Sequence, residues 1–211
     1  MTEGRDPHDI DPDYDRKGGF PRLSMVDEPP GFGRFVAAMR RAQDLAMCSE
    51  AADWNAAADR VEELVGFLAP HRAPGGIGPA GRVATLPGAG SLLMPPWEIR
   101  RFDAEVVELD VRFSRYHVGG NNAVHGGVVA MVFDVMCGMV IHAVERPISR
   151  TAFLHVDYRN ITPIDVPLTL RGWVSRVEGR KTFVDSELSD RDGRMLAEAN
   201  GLMVRLLPGQ P

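Results

Sequence analysis

Hydrophobic and polar positions change period several times along the chain. Residues 1–30 hold few apolar positions and many Asp, Pro and Gly, too little burial to offset the entropy of ordering, so a disordered tail is expected there. From Phe32 to Leu68 the period turns helical. Trp54, Ala58, Val61, Val65 and Leu68 recur at 4-3-4-3 spacing on one helix face, with Asp53 placed to cap that helix and Pro70 to stop it. So narrow a stripe needs a partner surface. Residues 31–70 therefore read as a helical extension and residues 71–96 as a Pro/Gly-rich connector.

After Trp97 the period shortens. AEVVELDVRF (104–113) alternates apolar and charged residues, the mark of a half-buried strand. From Gly126 to Ile141 every residue is apolar or Gly except Asp134, which reads as one long core helix. Strand patterns return at 151–159, 167–177, 181–190 and 194–206, joined by short turns at Glu178-Gly179-Arg180 and Arg191-Asp192-Gly193. The expected fold is α+β, a long apolar helix wrapped by an antiparallel sheet whose last four strands run as a meander, over residues 97–207. A helix apolar on all sides must be covered on all sides, and a single sheet covers one. An obligate homo-oligomer, dimer or tetramer, is the consequence.

Asp134 is the anomaly. A buried, unpaired carboxylate costs several kcal/mol. On a helix it shares a face with Gly127, Ala130, Met131, Gly138 and Ile141, and the small residues leave room beside the carboxylate. Gly126 and Gly127 can present free backbone N–H groups at the positive end of the helix dipole, the geometry of an oxyanion hole. The two features lie roughly 10 Å apart on one helix, so a small reacting centre would meet both only across two subunits. Structural readings stand beside this one. Asp134 could bond a hidden Arg or His, with His142 on a neighbouring face, and His125 could be a helix-start residue satisfying its own neighbours. Cys137, in apolar surroundings, reads as inert core.

Composition narrows the classes. The chain has 211 residues, 44% hydrophobic and 25% charged, as in ordinary globular proteins. A net charge of -5 gives no electrostatic case for nucleic acid or an anionic membrane. Two cysteines, Cys48 and Cys137, with no metal-ligand spacing, suit a reducing cytoplasm and no metal or other cofactor. The first residues have no apolar signal core. The long apolar helix is barely long enough to span a membrane, and a central Asp adds about 2.5–3.5 kcal/mol to insertion. GIGPAG (76–81) matches a dinucleotide-binding string, but Pro74 precedes it, Pro79 lies inside it and no helical period follows, so it reads as linker.

VHGGVVAMVFD, with His125-Gly126-Gly127 followed by Asp134 on the same helix, resembles the signature of the PaaI-type acyl-CoA thioesterases of the hotdog superfamily. TAFLHVDYRN and VEGRKTFVDSEL are similar to later strands of that family, and the likeness runs in order over residues 104–206. The resemblance implies hydrolysis of acyl-CoA to a free acid and coenzyme A, with Asp134 as general base or nucleophile. Gly127 would hold the thioester oxygen, His125 and Gly126 would shape that turn, and Thr151 would position water. Asp157, Arg159, Arg180 and Lys181 align with coenzyme A contacts in parts of the family. Several members carry an Asn six residues before the His; here Gly119 stands there, with Asn121 and Asn122 nearer, and Asn122 is the candidate substrate contact. An enoyl-CoA hydratase or dehydratase of the same fold, or a non-catalytic acyl-CoA sensor, are the alternatives.

Overall fold

The computed structural model describes residues 25–73 and 76–207, which form two compact units divided after Leu92. In the first unit, helix α1 (Phe32–Ala46) buries Val36. Residues 1–24 of the expected tail lie outside the described residues, but residues 25–30 are tied down, with Val26 N–H donating to the Arg82 carbonyl at 2.9 Å. Residues 82–91 of the expected connector are held in place too: Val83 is fully buried, and Arg40 on α1 donates to the carbonyls of Pro87 (3.1 Å) and Ser91 (2.8 Å). Long-range polar contacts of this sort leave no mark in a local Pro/Gly pattern. Helix α2 (Trp54–Leu68) starts at the expected cap, Asp53, whose carboxylate accepts from Ala56 N–H at 3.0 Å. No residue of α2 is buried, and Trp54, Val61, Val65 and Leu68 are all exposed.

The second unit is a six-stranded antiparallel sheet around helix α3 (Gly126–Ala143). The strands are β1 (Trp97–Phe102), β2 (Val107–Arg112), β3 (Ser149–Tyr158), β4 (Pro167–Glu178), β5 (Lys181–Ser189) and β6 (Met195–Arg205). Strand β1 was not visible as an alternating pattern. It pairs with β2 through a turn in which Asp103 Oδ1 accepts from Glu105 and Val106 N–H. The β4–β5 and β5–β6 turns fall where Gly179 (φ 56°) and Gly193 (φ 78°) supply left-handed backbone.

The sheet order is β1-β2-β4-β5-β6-β3, so the last four strands are not one meander. Strand β3 pairs only with β6, at the sheet edge, and the chain then crosses the start of α3 to reach β4. That crossing is fixed by Val124 N–H donating to the Thr162 carbonyl and by an Ala123–Pro163 bridge. Alternation along β3 specifies which residues face the core but not which strand lies alongside.

Helix α3 buries Val129, Val132, Phe133, Met136, Cys137, Val140 and Ile141 against the sheet. At about 1.5–3 kcal/mol for each larger side chain, this face dominates the core of the unit. Two glycines let the helix sit close. A Cβ at Gly172 on β4 would fall inside contact distance of Met136, and one at Gly201 on β6 would lie 2.5 Å from Cys137 Sγ. The opposite stripe is not covered. Gly127, Asp134, Gly138 and His142 are exposed in the single chain, on the side of the helix that a single sheet was expected to leave uncovered. Ile141, grouped with Asp134 from spacing, is buried instead.

Replacing Gly201 by Ala should cost about 1–3 kcal/mol by overpacking against Cys137, and less in a Cys137→Ala background. Urea unfolding of the four chains of this cycle measures the coupling; additive losses would show that the helix does not rest on Gly201.

Candidate active site

Asp134 points outward from the middle of α3, and strand β3 reaches it from the side. Thr151 Oγ1 donates to Asp134 Oδ1 at 2.7 Å, with the Met203 sulfur 3.4 Å from the same hydroxyl. Thr151 faces the helix because it pairs with buried Met203, and a bulge at Ala152 then resets the alternation. One oxygen of this exposed carboxylate is thereby fixed. Burial first, then the charge of Asp134, pushes the Cys137 thiol up to about 12, so the neighbouring sulfur is no nucleophile.

The helix start is built from the loop before it. His125 caps α3, its Nδ1 accepting from Gly127 N–H at 3.0 Å. The ring is therefore unprotonated at Nδ1, and the Gly127 N–H expected to be free for an oxyanion already has an intramolecular partner. A ligand oxygen must share or displace that ring. Gly119, where the family pattern has Asn, backs onto His125: a Cβ there would lie 3.1 Å from His125 Cα. Asn121 (φ 57°) and Asn122 (φ 56°) form a tight turn of mirror-image type, closed by Ala123 N–H to the Gly120 carbonyl at 3.1 Å. Asn122 Oδ1 accepts from Arg115 at 2.7 Å, so the Asn122 side chain serves that turn.

Tyr158, which no local motif singles out, holds the first turn of α3: its hydroxyl donates to the Gly126 carbonyl at 2.8 Å. A Cβ on Gly126 would come within 3.3 Å of the Tyr158 ring. The reason for glycine at 126 is therefore partly a phenol contributed by an edge strand. Beside this turn lies a recess of about 680 Å³, lined by Gly126, Val129, Tyr158, Ile161 and Arg194 among others.

The remaining predicted contacts separate into two places. His155 and Asp157 alternate with core-facing Leu154 and Val156, so they lie on the sheet face away from α3. Asp157 stands opposite Glu198, and Arg159 relieves that like-charge pair, donating to Glu198 (2.7 Å) and Asp157 (3.3 Å). The Glu198 hydrogen bond and both carboxylates hold the Arg159 guanidinium above its usual pKa. Asp157 and Arg159 are thus not gathered with Asp134. Arg180 and Lys181 lie at the β4–β5 turn, where Arg180 donates to the Arg205 carbonyl at 3.1 Å and Lys181 is exposed. Among the described residues no cluster of His, Cys, Asp and Glu could hold a metal ion.

Residues 121–197, which include α3 and the Asp134–Thr151 pair, match the family model of the Thioesterase superfamily. The matched segment lies within the sheet-and-helix unit. Acyl-coenzyme A thioesterase THEM4 of Rattus norvegicus is 33% identical over 89 residues, 42% of this chain and 38% of that protein. The Xenopus laevis protein of the same name is 31% identical over 102 residues, 44% of this chain and 42% of its own. The chain therefore spans about two fifths of the length of these curated relatives. A solved thioesterase superfamily protein superposes with a TM-score of 0.72 at 26% identity, over 86% of this chain and 100% of that one. The hotdog architecture is the common element.

Two substitutions test the helix start. His125→Ala removes a cap and should cost about 0.5–2 kcal/mol. Tyr158→Phe should cost about 1 kcal/mol, one neutral hydrogen bond. Denaturant midpoints measure both; losses below a few tenths in each would mean that neither side chain holds the turn.

Proposed function

We propose that the chain hydrolyses acyl-CoA thioesters to a free acid and coenzyme A, in the manner of the PaaI-type subgroup. The observation that carries this reading is the Asp134–Thr151 hydrogen bond on the outward stripe of a thioesterase-superfamily helix. With Oδ1 held by Thr151, Oδ2 is free to take a proton from water. The resulting hydroxide adds to the thioester carbonyl, the C–S bond breaks, and the thiolate leaves with little need of acid help. The proton held by Asp134 then returns to the thiolate or to solvent. The names of the THEM4 relatives support the substrate class.

The oxyanion site of this reaction is the Gly127 N–H at the α3 start, once the His125 ring yields it. Gly127 and Asp134 are seven residues apart on one helix, about 10 Å, so a single carbonyl meets both only when two copies lie side by side. We infer a homodimer, or a homotetramer built as a dimer of dimers, with each site shared between copies. Support comes from the exposed α3 stripe and from β3, whose outer edge has no strand beside it among the described residues and where Phe153 is 44% exposed. A hydratase would require a histidine–carboxylate pair; here the His125 ring bonds Gly127 and Asp134 bonds Thr151. A cytoplasmic setting fits the two free cysteines.

Thiol release from short, medium, long and aryl acyl-CoAs tests the reaction. Asp134→Asn should lower kcat by about 10²–10⁴-fold with the fold retained, and Thr151→Ala by a smaller factor. Turnover that survives Asp134→Asn would sink the general-base role. The assembly is tested by light scattering, which should give an even multiple of the 23.1 kDa chain, with activity lost on dilution to monomer. An active monomer would overturn the shared site.

A further inference from the structure

The hydroxyl of Thr151 has two acceptors within reach, and only one of them is the carboxylate. Its Oγ1 stands 2.7 Å from Asp134 Oδ1 and 3.4 Å from the Met203 sulfur. A hydroxyl carries one proton and donates it in one direction at a time. An ionised carboxylate outcompetes a thioether for that proton, which sets the resting arrangement. While Asp134 is charged, the sulfur is therefore a spare acceptor.

The strand places that spare acceptor with some care. The helix-facing positions of β6 run Ala197, Ala199, Gly201 and Met203. Three small residues let α3 sit close, and the one long side chain stands at the position paired with Thr151. Met203 is only 4% exposed, and Thr182 on β5, equally buried, is its partner on the other side. The thioether is thus seated in the core between two threonines and reaches the site only through the Thr151 hydroxyl. Leucine would fill a comparable volume there without offering an acceptor.

We propose that Met203 is a positioning residue for the hydrolysis: its sulfur is the second acceptor that keeps the Thr151 hydroxyl in place after Asp134 has taken a proton from water. This rests on the hydrolase reading, with Asp134 as the base. Once that proton is on Oδ2 the carboxyl group is neutral, and its advantage over the sulfur falls. The O–H of Thr151 then turns to Met203 by rotation about Cβ–Oγ1, leaving Oγ1 where it was. It turns back when Asp134 releases its proton. Thr151 neither gains nor loses a proton, and Met203 touches no reacting atom. Without the sulfur, the Thr151 side chain is free to leave its rotamer at that stage, and the carboxylate must be aimed again before the next turnover.

A double-mutant cycle separates this role from core packing. Thiol release from one acyl-CoA is measured for wild type, Met203→Leu, Thr151→Val and the double variant. Met203→Leu should lower kcat about three- to tenfold with KM held within about twofold, and should cost nothing further once Thr151→Val has removed the hydroxyl. An equal loss in both backgrounds would assign Met203 to packing, and an unchanged kcat in Met203→Leu would show that the second acceptor goes unused; either result overturns the proposal. Should wild type hydrolyse no acyl-CoA, the hydrolase reading fails by itself, and urea midpoints of the same four chains decide the contact. Midpoint shifts that fall short of additive would keep Met203 as the residue that holds the Thr151 hydroxyl, and additive shifts would remove that role as well.

Discussion

The close seat of α3 on the sheet is the constraint from which the rest of this domain follows. Gly172 and Gly201 bring the helix backbone down until Met136 and Cys137 fill the space that side chains on β4 and β6 would take. One face of the helix is thereby committed to the core, and helical geometry commits the opposite one to the outside. Everything chemically notable on α3, namely Gly127, Asp134, Gly138 and His142, falls on that outward stripe. A carboxylate amid apolar residues is thus tolerated because it stays wet in the single chain and gains a hydroxyl partner from β3.

Strand β3 converts the stripe into a site. Its displacement to the sheet edge carries Thr151 to Asp134 and Tyr158 to the first turn of α3, so one strand grips the helix at two levels. The bulge at Ala152 allows both: it turns Thr151 toward the helix while the rest of the strand keeps the alternation that seats Leu154 and Val156 in the core. The same placement leaves the outer edge of β3 unpaired, next to the uncovered helix stripe. Under the proposed function these two surfaces form one interface, and the separation of Gly127 from Asp134 is the reason for having it.

Charge is sorted by face. On the side away from α3, carboxylates and arginines neutralise one another in pairs that are half exposed and individually worth little. At the β4–β5 turn, Arg146 and Arg180 donate instead to the backbone carbonyls of Gly179 and Arg205.

Period and punctuation in the sequence determined the long apolar helix, the strands of the second half, the glycine turns between them and the Asp53 cap, because these depend on neighbours within a few residues. Residue types and spacing also singled out His125, Gly127 and Asp134, since a helix fixes which positions share a side, whereas Thr151 came only from the family resemblance. Tertiary structure alone decided that β3 pairs with β6, that β1 exists and that residues 25–30 and the Pro/Gly-rich stretch are ordered. It also decided that Asp134 faces outward, that His125 occupies the Gly127 N–H, and that Tyr158 holds the first turn of α3. The physical reason is the same in each case: strand order, helix facing and side-chain partners are contacts between residues distant in the chain, and a local pattern states which positions must be covered without stating by what.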